Sequence, residues 1–508
     1  MLARCENVNP VSVLRAIASH RMRNPIDHLL FYARYQPDAC AVAWIGGQLS
    51  FADLLARVRA AAGRLRALNL APGAIVATHI ADRPTDWIMT LALMHEALPS
   101  CSFASLQPLV LPPALQPALV LSDRALDPAA VSAAPQLLLD PSWIDPAAAG
   151  AIAPRSFATD DALLRLTLTS GTTGVSRAVP GTLRARVGRA SEQVARTRWG
   201  HVLCLMALGS TGGYNCALQA LREGMPAYLA AGPHDALDLI ERHRIESLFA
   251  SPTQLASLLP VLRERTRLPT CLHEISYAGA SASRRLLDDL RAWLCPRVEL
   301  IYGSTEVGTV ARLLVHQHGI PEGAAGHLLP GVQAEVVDAQ HRPLPHGEEG
   351  VLRLRTACMA HGYLGADTDP AFRDGWFYPG DLAVLRDDGL LLLRGRVVEV
   401  LNRGGVKIDP ARVDDAALDH AAIVDAAAFV FENADGVDDL ALALVAAEGF
   451  EFDALQRHLR QALAPDLLPR CYLRVREIPR NAMGKVQRAR LRDAYGAQAR
   501  EATRATRP

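Results

Sequence analysis

The sequence predicts an α/β protein with a large N-terminal domain and a small, mobile α+β C-terminal domain. At 508 residues the chain is too long for a single hydrophobic core. Apolar runs typical of buried strands alternate with amphipathic helical patterns over most of the chain, which is typical of parallel sheets covered by helices. Near residue 326 the pattern changes to short strands separated by turns, and a smaller mixed unit follows.

Helical and strand patterns alternate along the large domain. Residues 51–68 have helical spacing with arginines on the opposite face, and residues 75–80 match a buried strand. The same patterns then predict strands at 136–140, 247–250, 274–277 and 298–301, and helices at 235–242, 252–262 and 283–294. Ligands of such folds bind beyond the carboxyl ends of the strands.

An antiparallel β subdomain is predicted at about 326–394, where glycine turns such as Arg373-Asp-Gly separate short strands. We place the domain boundary at residue 396, so the domains are 1–396 and 397–508. In the second domain we expect helices at 411–420 and 452–463 and strands at 427–431 and 440–446. The arginine-rich tail after about residue 492 is expected to be disordered.

The composition excludes several classes of protein. Lys plus Arg and Asp plus Glu both number 53, so no net charge favours nucleic acid as a partner. The nine cysteines include no Cys-x-x-Cys pair, which argues for reduced thiols in a cytoplasmic setting and against a zinc site. The longest uncharged stretch, residues 97–122, is interrupted by prolines, so we expect no integral membrane segment.

The most informative segment is Leu168–Val179, a loop between an apolar run and a helical-looking segment. Its glycines allow the backbone to approach a ligand closely, and its hydroxyls and N–H groups suit phosphate oxygens. No Gly-Lys-Ser/Thr follows, so the loop is not a Walker A motif. The residues concerned are Thr169, Ser170, Gly171, Thr172, Thr173, Gly174 and Arg177.

Four further motifs follow at wide spacing, and each of them alone is weak. They are Tyr302-Gly-Ser-Thr-Glu306, Tyr378-Pro-Gly-Asp-Leu382, Gly395-Arg396 with Gly404–Pro410, and Pro479–Lys485. Together, and in this order, the five motifs resemble the adenylate-forming superfamily of acyl- and aryl-CoA synthetases, nonribosomal adenylation domains and luciferase. The resemblance extends from about residue 28 to about residue 492.

The resemblance implies a two-step ligase reaction that uses ATP and Mg²⁺. A carboxylate attacks the α-phosphate of ATP to give an acyl-adenylate and pyrophosphate, and a thiol then displaces AMP. Because both reactants of the first step are anionic, that step needs positive charge and directed hydrogen-bond donors. The thiol would belong to coenzyme A or to the phosphopantetheine arm of a carrier protein.

The resemblance also assigns roles to individual residues. Lys485 matches the catalytic lysine, which would stabilise charge in the first transition state. Gly404 and Gly405 would line the thiol tunnel after the C-terminal domain rotates about a hinge at Val398. The phosphate part of the nucleotide site would comprise the loop for the β- and γ-phosphates, Thr305 beside the α-phosphate and Glu306 as the magnesium ligand. The nucleotide site would also include Gly303, Tyr302 packed on adenine, Gly279 and Ala280 along the base edge, and Asp381 with Arg396 at the ribose.

Three positions depart from the family pattern. Ser176-Arg177 replaces the usual Pro-Lys, which keeps the positive charge but changes its geometry. Val398 replaces a hinge Asp or Lys and is stiffer, so the rate of domain rotation is open. Val351 replaces a Glu, which we interpret as a variation of the sheet without consequence.

The acid-binding region departs as well. Thr211 stands where amino-acid adenylation domains carry an aspartate, which argues against a free α-amino acid as substrate. Ser210–Gly213 replaces the His-x-x-Gly of many acyl and aryl enzymes. Small, apolar lining favours an uncharged organic body, although Tyr214 is equally compatible with ordinary helix packing. The expected pocket residues are Thr211, Gly213, Tyr214, Ala278, Val307 and Gly308.

These features predict a carboxylic acid–coenzyme A ligase. One alternative is the same activation with transfer to a carrier protein supplied in trans. An alternative of another class is a non-catalytic homologue that binds nucleotide or acyl group, for which Arg177 and Val398 are the motivation. The joint presence of Glu306, Asp381, Arg396 and Lys485 favours the enzyme.

Overall fold

The structure is a computed structural model that describes most residues of the chain. These are residues 24–103, 111–131, 134–170, 176–194, 200–265, 269–315, 320–366, 368–397, 399, 401–403, 406–433, 437–481 and 484–505.

The helices of the described ranges follow in chain order. They are α1 (Asp27–Tyr35), α2 (Phe51–Ala67), α3 (Arg83–His95), α4 (Leu183–Val194), α5 (Thr211–Glu223), α6 (Pro233–His243), α7 (Pro252–Glu264), α8 (Arg284–Trp293), α9 (Pro410–Leu418), α10 (Phe452–Ala462) and α11 (Arg488–Ala505). None of them is long and apolar enough to cross a membrane.

The strands of the large domain precede residue 397. They are β1 (Cys40–Trp44), β2 (Gly47–Ser50), β3 (Val76–His79), β4 (Ser100–Ser102), β5 (Leu119–Ser122), β6 (Gln136–Leu138), β7 (Leu163–Ser170), β8 (Ser176–Thr182), β9 (Val202–Cys204), β10 (Ala227–Tyr228), β11 (Ser247–Ala250), β12 (Glu274–Ala278), β13 (Val298–Ser304), β14 (Gly308–Leu314), β15 (Ala324–Leu328), β16 (Gln333–Val337), β17 (Glu349–Arg355), β18 (Phe372–Arg373), β19 (Trp376–Phe377), β20 (Asp381–Leu385) and β21 (Leu390–Arg396).

Two sheets form the large domain. The six-stranded sheet has the order β6-β5-β3-β4-β7-β8 and is parallel except for the β7–β8 pair. The fifteen-stranded sheet has a parallel core of β1, β10, β9, β11, β12 and β13, and then continues into antiparallel pairs. The α/β class is therefore confirmed. Apart from the antiparallel edge pair β1–β2, antiparallel pairing in this sheet begins at β14, earlier than the predicted start near residue 326, and is continuous with the parallel strands.

The loop predicted to bind phosphate is the connection of a β-hairpin. Strand β8 pairs with β7 in antiparallel fashion, so a strand and not a helix follows the loop. The helical pattern belongs to the next element, α4. Residues 171–175, and with them Gly171, Thr172, Thr173 and Gly174, lie outside the described residues.

The second domain is a small α+β unit. Its strands are β22 (Leu401–Arg403), β23 (Val406–Ile408), β24 (Ile423–Glu432), β25 (Asp438–Ala446) and β26 (Cys471–Arg474). The β22–β23 hairpin stands apart from the three-stranded sheet β24-β25-β26. Val398, Gly404 and Gly405 lie outside the described residues.

The predicted disorder after residue 492 is not found, because helix α11 continues to Ala505. Leu491 and Ala499 of this helix are fully buried against the three-stranded sheet. Two of its arginines are anchored, Arg488 on Asp414 at 2.7 Å and Arg500 on Glu432 at 3.0 Å. The arginine-rich composition therefore belongs to an amphipathic helix whose apolar positions are few.

Candidate active site

The predicted site residues converge where parallel strands of the large sheet end. Gly279 and Ala280 directly follow β12, and Tyr302–Glu306 span the end of β13 and the turn after it. Both segments line a cavity of about 1950 Å³. The carboxyl ends of parallel strands are the expected ligand position in such folds. The cavity extends to the second domain and includes Lys485.

Asp381 is the centre of a polar cluster at one side of the cavity. It faces Arg396 directly across the β20–β21 ladder and forms an ion pair with it, in which Arg396 Nε lies 3.0 Å from Asp381 Oδ1. The hydroxyl of Tyr302 donates to Oδ2 at 2.5 Å. Burial and then the carboxylate raise the pKa of Tyr302, so the phenol remains a neutral donor. A carboxylate has about four acceptor positions, so Asp381 keeps capacity for ribose hydroxyls.

Glu306 is held from both its side chain and its backbone. Its Oε1 accepts a hydrogen bond from the Tyr363 hydroxyl at 2.8 Å, and its carbonyl accepts from Arg189 Nη2 at 2.7 Å. The amide of Ala360 donates to the same carbonyl at 2.7 Å. Burial and then Glu306 raise the pKa of Tyr363, which keeps that hydroxyl protonated. The carboxylate of Glu306 is thereby fixed in position.

The donor set around Glu306 fits magnesium bound together with phosphates. Within the described ranges, no three His, Cys, Asp or Glu side chains form a cluster that could hold a metal ion. A single carboxylate is what Mg²⁺ commonly takes from a protein when water and phosphate oxygens supply its other ligands. The residues present therefore fit a magnesium ion that binds with the nucleotide.

Arg177 packs on Tyr363, the residue whose hydroxyl donates to the Glu306 carboxylate. Its guanidinium packs over the ring of Tyr363 at 4.9 Å, and its Nη1 lies 3.5 Å from Asp369 Oδ2. Thr169, opposite Arg177 in the β7–β8 ladder, donates from its hydroxyl to the Arg177 carbonyl at 3.4 Å. The arginine that replaces the usual lysine is thus oriented by two side chains next to Glu306.

Lys485 enters the cavity from the second domain on a turn that its neighbours brace. Its amide donates to Asn481 Oδ1 at 2.9 Å, and Arg480 Nη1 donates to the carbonyl of Gly484 at 2.7 Å. Burial and then the charge of Arg396 lower the pKa of Lys485 to about 8, against the opposing effects of Glu399 and Asp381. It is one of two lysines in the sequence, the other being Lys407.

The turn that carries Lys485 rests directly on the large domain. Gly484 has φ +77°, and a methyl group there would overlap the Thr253 hydroxyl at the start of α7. Arg412 also pairs with Glu322 at 2.6 Å, and the Arg285 amide donates to Asp419 at 3.2 Å. These contacts hold the second domain in the orientation that places Lys485 in the cavity.

Thr211 and Thr305 lie together at the start of the predicted acid pocket. Ser210 caps α5 by accepting a hydrogen bond from the Gly213 amide at 3.1 Å, so Thr211 is the first residue of the helix. The hydroxyl of Thr211 donates to that of Thr305 at 3.0 Å. Ala278, Val307 and Gly308, which were also expected in the acid pocket, line the same cavity.

Two predicted pocket residues do not line the cavity. A methyl group on Gly213 would overlap the carbonyl of Ala207, so this glycine serves close backbone packing. Tyr214 is 1% exposed and packs between two arginines, with Arg165 at 4.3 Å and Arg186 at 5.8 Å from the ring. The alternative interpretation of Tyr214, helix packing, is therefore the one the structure favours.

Three functional candidates escaped the sequence prediction. Arg189 on α4 donates to the carbonyls of Cys358, Thr305 and Glu306 at 3.0, 2.8 and 2.7 Å, and so holds the backbone of the predicted magnesium ligand. The second is Tyr363, described above, and the third is Asn215, which lines the cavity one turn after Thr211. Asn215 follows Thr211 by four residues, which places both on the same face of a helix. This spacing is the one signal in the sequence that could have identified Asn215 as a cavity residue.

A family model described as AMP-binding enzyme matches residues 110–364, about half of the chain. The chain is 30% identical over 346 residues to a fatty acid–[acyl-carrier-protein] ligase, ScoC, of Streptomyces coeruleorubidus, a match that covers 64% of this chain and 66% of that protein. It is 29% identical over 356 residues to a 2-succinylbenzoate–CoA ligase of Bacillus velezensis, covering 68% and 72% respectively.

These matches span about two thirds of the length of the curated relatives. Among solved structures, the chain resembles an o-succinylbenzoate coenzyme A synthetase from Bacillus subtilis in complex with ATP and magnesium ion. The TM-score is 0.80 at 22% identity, and the match covers 92% of this chain and 99% of the other. At this identity the likeness concerns the fold.

Proposed function

Because this chain belongs to the AMP-binding enzyme family, and so to the adenylate-forming enzymes that its motifs resemble, we propose that it is an AMP-forming acid–thiol ligase. It activates a carboxylic acid with ATP and transfers the acyl group to the thiol of coenzyme A. One observation carries the proposal. Lys485 of the second domain lines the same cavity as Thr305, Glu306 and Asp381 of the first.

In the first step, a carboxylate oxygen attacks the α-phosphorus and pyrophosphate leaves. The ammonium of Lys485 offsets negative charge that builds between the two anions, and Asp381 orients the nucleotide through its ribose. Glu306 would hold Mg²⁺, which when bound neutralises phosphate charge. Tyr363 and Arg189 keep Glu306 in position for that ion.

In the second step, the thiol attacks the acyl carbon and AMP leaves. The family pattern implies that the second domain rotates, so that Gly404 and Gly405 replace Lys485 at the site. The described orientation is the one suited to the first step. The ion pair between Arg412 and Glu322 that bridges the domains is solvent-exposed, and exposed pairs are worth about 0–1 kcal/mol, so its loss would cost little.

The acceptor has two candidates, both named by relatives. The relative from Streptomyces is a ligase for an acyl-carrier protein, and the relative from Bacillus is a ligase for coenzyme A. We favour coenzyme A and place the protein in the cytoplasm. Loading the enzyme with acid and ATP, and then offering coenzyme A and a holo carrier protein in separate reactions, tests this choice. Thioester formed with the carrier alone would reverse it.

ATP–pyrophosphate exchange over a panel of carboxylic acids tests the proposed function itself. At least one acid should support exchange that depends on the enzyme, the acid and Mg²⁺. ATP binding without exchange for every acid would favour the non-catalytic alternative. Retention of Glu306, Asp381, Arg396 and Lys485 in one cavity supports the enzyme over that alternative.

The lowered pKa of Lys485 predicts a pH dependence for adenylation. The ammonium is the active form, and it is lost as pH rises through the pKa of about 8. We therefore expect kcat/KM for exchange, which reports the free enzyme, to fall about tenfold per pH unit well above pH 8. The measurement is a pH profile from 6 to 10. In Lys485→Arg the guanidinium stays charged over this pH range, so the residual activity should not decline at alkaline pH. If the activity of this variant still declined, a titrating group other than Lys485 would be the cause.

Gly484→Ala tests whether docking of the second domain places Lys485. The positive φ and the overlap with Thr253 should displace the turn, so exchange should fall by about 10- to 100-fold. Thioester formation from supplied acyl-adenylate should be preserved. Gly449→Ala is the matched control, since Gly449 also has φ +77° but has no atom within 4 Å of the added methyl. If both variants lost the same exchange activity, backbone strain alone would explain the loss, and the contact with Thr253 would not be needed.

A further inference from the structure

The amide oxygen of Asn215 is a buried acceptor without a partner. Asn215 lies on α5, is 7% exposed and lines the cavity. Its Oδ1 makes no hydrogen bond to any of the described residues. Buried polar groups are nearly always hydrogen-bonded, so an orphaned acceptor in a cavity wall indicates a ligand or water that supplies the donor.

The position of Asn215 relates it to the acid. Thr211 precedes it by one helical turn, and the Thr211 hydroxyl meets that of Thr305 at 3.0 Å, at the predicted α-phosphate position. Residues four apart on a helix lie on the same face with Cβ atoms about 5–6 Å apart. An acid whose carboxylate reacts beside Thr305 therefore extends toward Asn215, and meets it about one helical turn beyond the reacting end.

The rest of this part of the cavity is largely apolar. Met206, Phe249 and Ala278 line it, and Gly212 packs so closely on Met206 and Phe249 that a methyl group there would overlap them. A second polar atom, Ser304 Oγ, is also buried without a partner among the described residues. The wall thus offers apolar contact to most of a ligand and hydrogen bonding at isolated points.

The charge behind this wall is positive. Arg186 is 1% exposed and donates to the hydroxyl of Thr167, which lines the cavity. Burial is the main cause that lowers the pKa of Arg186 to about 9, and the neighbouring guanidinium groups of Arg189 and Arg165 lower it further, against the opposing effect of Tyr214. A cationic group on the ligand, such as an ammonium, is disfavoured there, whereas a neutral donor is not.

We propose that the acid activated at this site carries an uncharged hydrogen-bond donor, a hydroxyl or a neutral amino nitrogen, and that Asn215 Oδ1 accepts its hydrogen bond. The donor lies about one helical turn from the carboxylate, which is the span across a benzene ring or a chain of about five carbons. Asn215 is thereby a specificity-determining residue. The inference rests on the proposed function and assigns the class of its substrate.

A panel of matched acids distinguishes the effect of the hydrogen-bond donor from the effect of the ring or chain that carries it. The aryl set is benzoate with its 4-hydroxy, 4-amino, 4-methoxy and 4-methyl derivatives, and the aliphatic pair is hexanoate with 6-hydroxyhexanoate. In ATP–pyrophosphate exchange we expect kcat/KM of a donor-bearing acid to exceed that of its unsubstituted parent by about tenfold or more. The methoxy and methyl acids, which fill the same space without a donor, should resemble the parent.

The same panel with Asn215→Leu tests the residue. Leucine keeps the approximate volume and removes the acceptor, so the ratio of kcat/KM for the donor-bearing acid to kcat/KM for its parent should fall to about one. Asn215→Ser retains a hydroxyl and is expected to keep part of the preference, which also provides a second variant if the leucine substitution impairs folding. Gln219→Leu is the matched control, because it removes another buried amide of α5 that bonds to Glu223 outside the cavity lining.

The outcomes distinguish this inference from the proposed function. If some acids support exchange but donors confer no advantage, or if Asn215→Leu leaves the preference unchanged, the inference is overturned and the ligase function stands. If no carboxylic acid supports exchange although ATP binds, the proposed function fails and the inference fails with it. A donor preference that disappears in Asn215→Leu and persists in Gln219→Leu supports both.

Discussion

Replacing Lys485 by alanine is expected to lower the rate of ATP–pyrophosphate exchange by about 10²- to 10³-fold. The variant removes the ammonium that the second domain brings into the cavity, and with it the charge that offsets two approaching anions. Thioester formation from chemically supplied acyl-adenylate should stay within about threefold of the wild type, because in the second step the domain has rotated away. Both rates are measured on one preparation.

Arg470→Ala supplies the control for this variant. Arg470 lies in the same domain, is solvent-exposed, pairs with Asp439 and does not line the cavity, so both rates should be unchanged. If Lys485→Ala slowed both steps equally, the role of Lys485 in the first step alone would be wrong. If it slowed neither, this cavity would not be the site of adenylation.

Replacing Glu306 by glutamine is expected to have the second large effect. Glutamine keeps an oxygen that can accept from Tyr363, but it removes the charge offered to Mg²⁺. Exchange at fixed Mg²⁺ should fall by about 10²- to 10³-fold, since metal ions contribute several kcal/mol to such transition states. A titration of the exchange rate against Mg²⁺ should show a higher apparent requirement in the variant.

Tyr363→Phe distinguishes the charge of Glu306 from its positioning. It leaves the carboxylate and removes one hydrogen bond to it, so a loss of about tenfold is expected, with a smaller change in the Mg²⁺ requirement. If the Mg²⁺ titration were unchanged in Glu306→Gln, Glu306 would not be a ligand of the metal ion. Thermal unfolding of both variants checks that the buried cluster remains folded.

Much of the fold was predictable because its strands are buried on both faces. The apolar runs at β11, β12 and β13 lie between amphipathic helices, and their predicted bounds differ from the observed ones by at most three residues. The start of antiparallel pairing at β14 was not predictable. Its sequence is as apolar as a parallel strand, and its direction is set by the tight turn after Ser304, which the glycine at 308 with φ +87° completes.

Site residues that lie at the ends of strands were predictable from the sequence. Residues that act through hydrogen bonds to backbone carbonyls were not. Tyr302, Glu306 and Asp381 are displayed by the ends of strands, so motif order located them. Arg189 acts by donating to three carbonyls from distant segments, a role that leaves no side-chain pattern in the sequence.

The C-terminal tail shows how composition can mislead. Counting arginines after residue 486 predicts a solvated segment, yet the helix is fixed by two buried apolar residues, Leu491 and Ala499, and by the ion pair of Arg488 with Asp414. The apolar positions are eight residues apart, so they lie near one face of a helix. Two apolar residues give only a weak helical signal in a segment whose composition is dominated by charged residues.

In the proposed reaction, a carboxylate oxygen attacks the α-phosphorus of ATP in this cavity. An acid that supports exchange, labelled with ¹⁸O in its carboxylate, tests this directly when it is turned over with ATP and coenzyme A. The carboxylate oxygen that joins the α-phosphorus leaves with AMP, so mass spectrometry should find one ¹⁸O in AMP and none in pyrophosphate. ¹⁸O in inorganic phosphate, with ADP as the other product, would contradict the account.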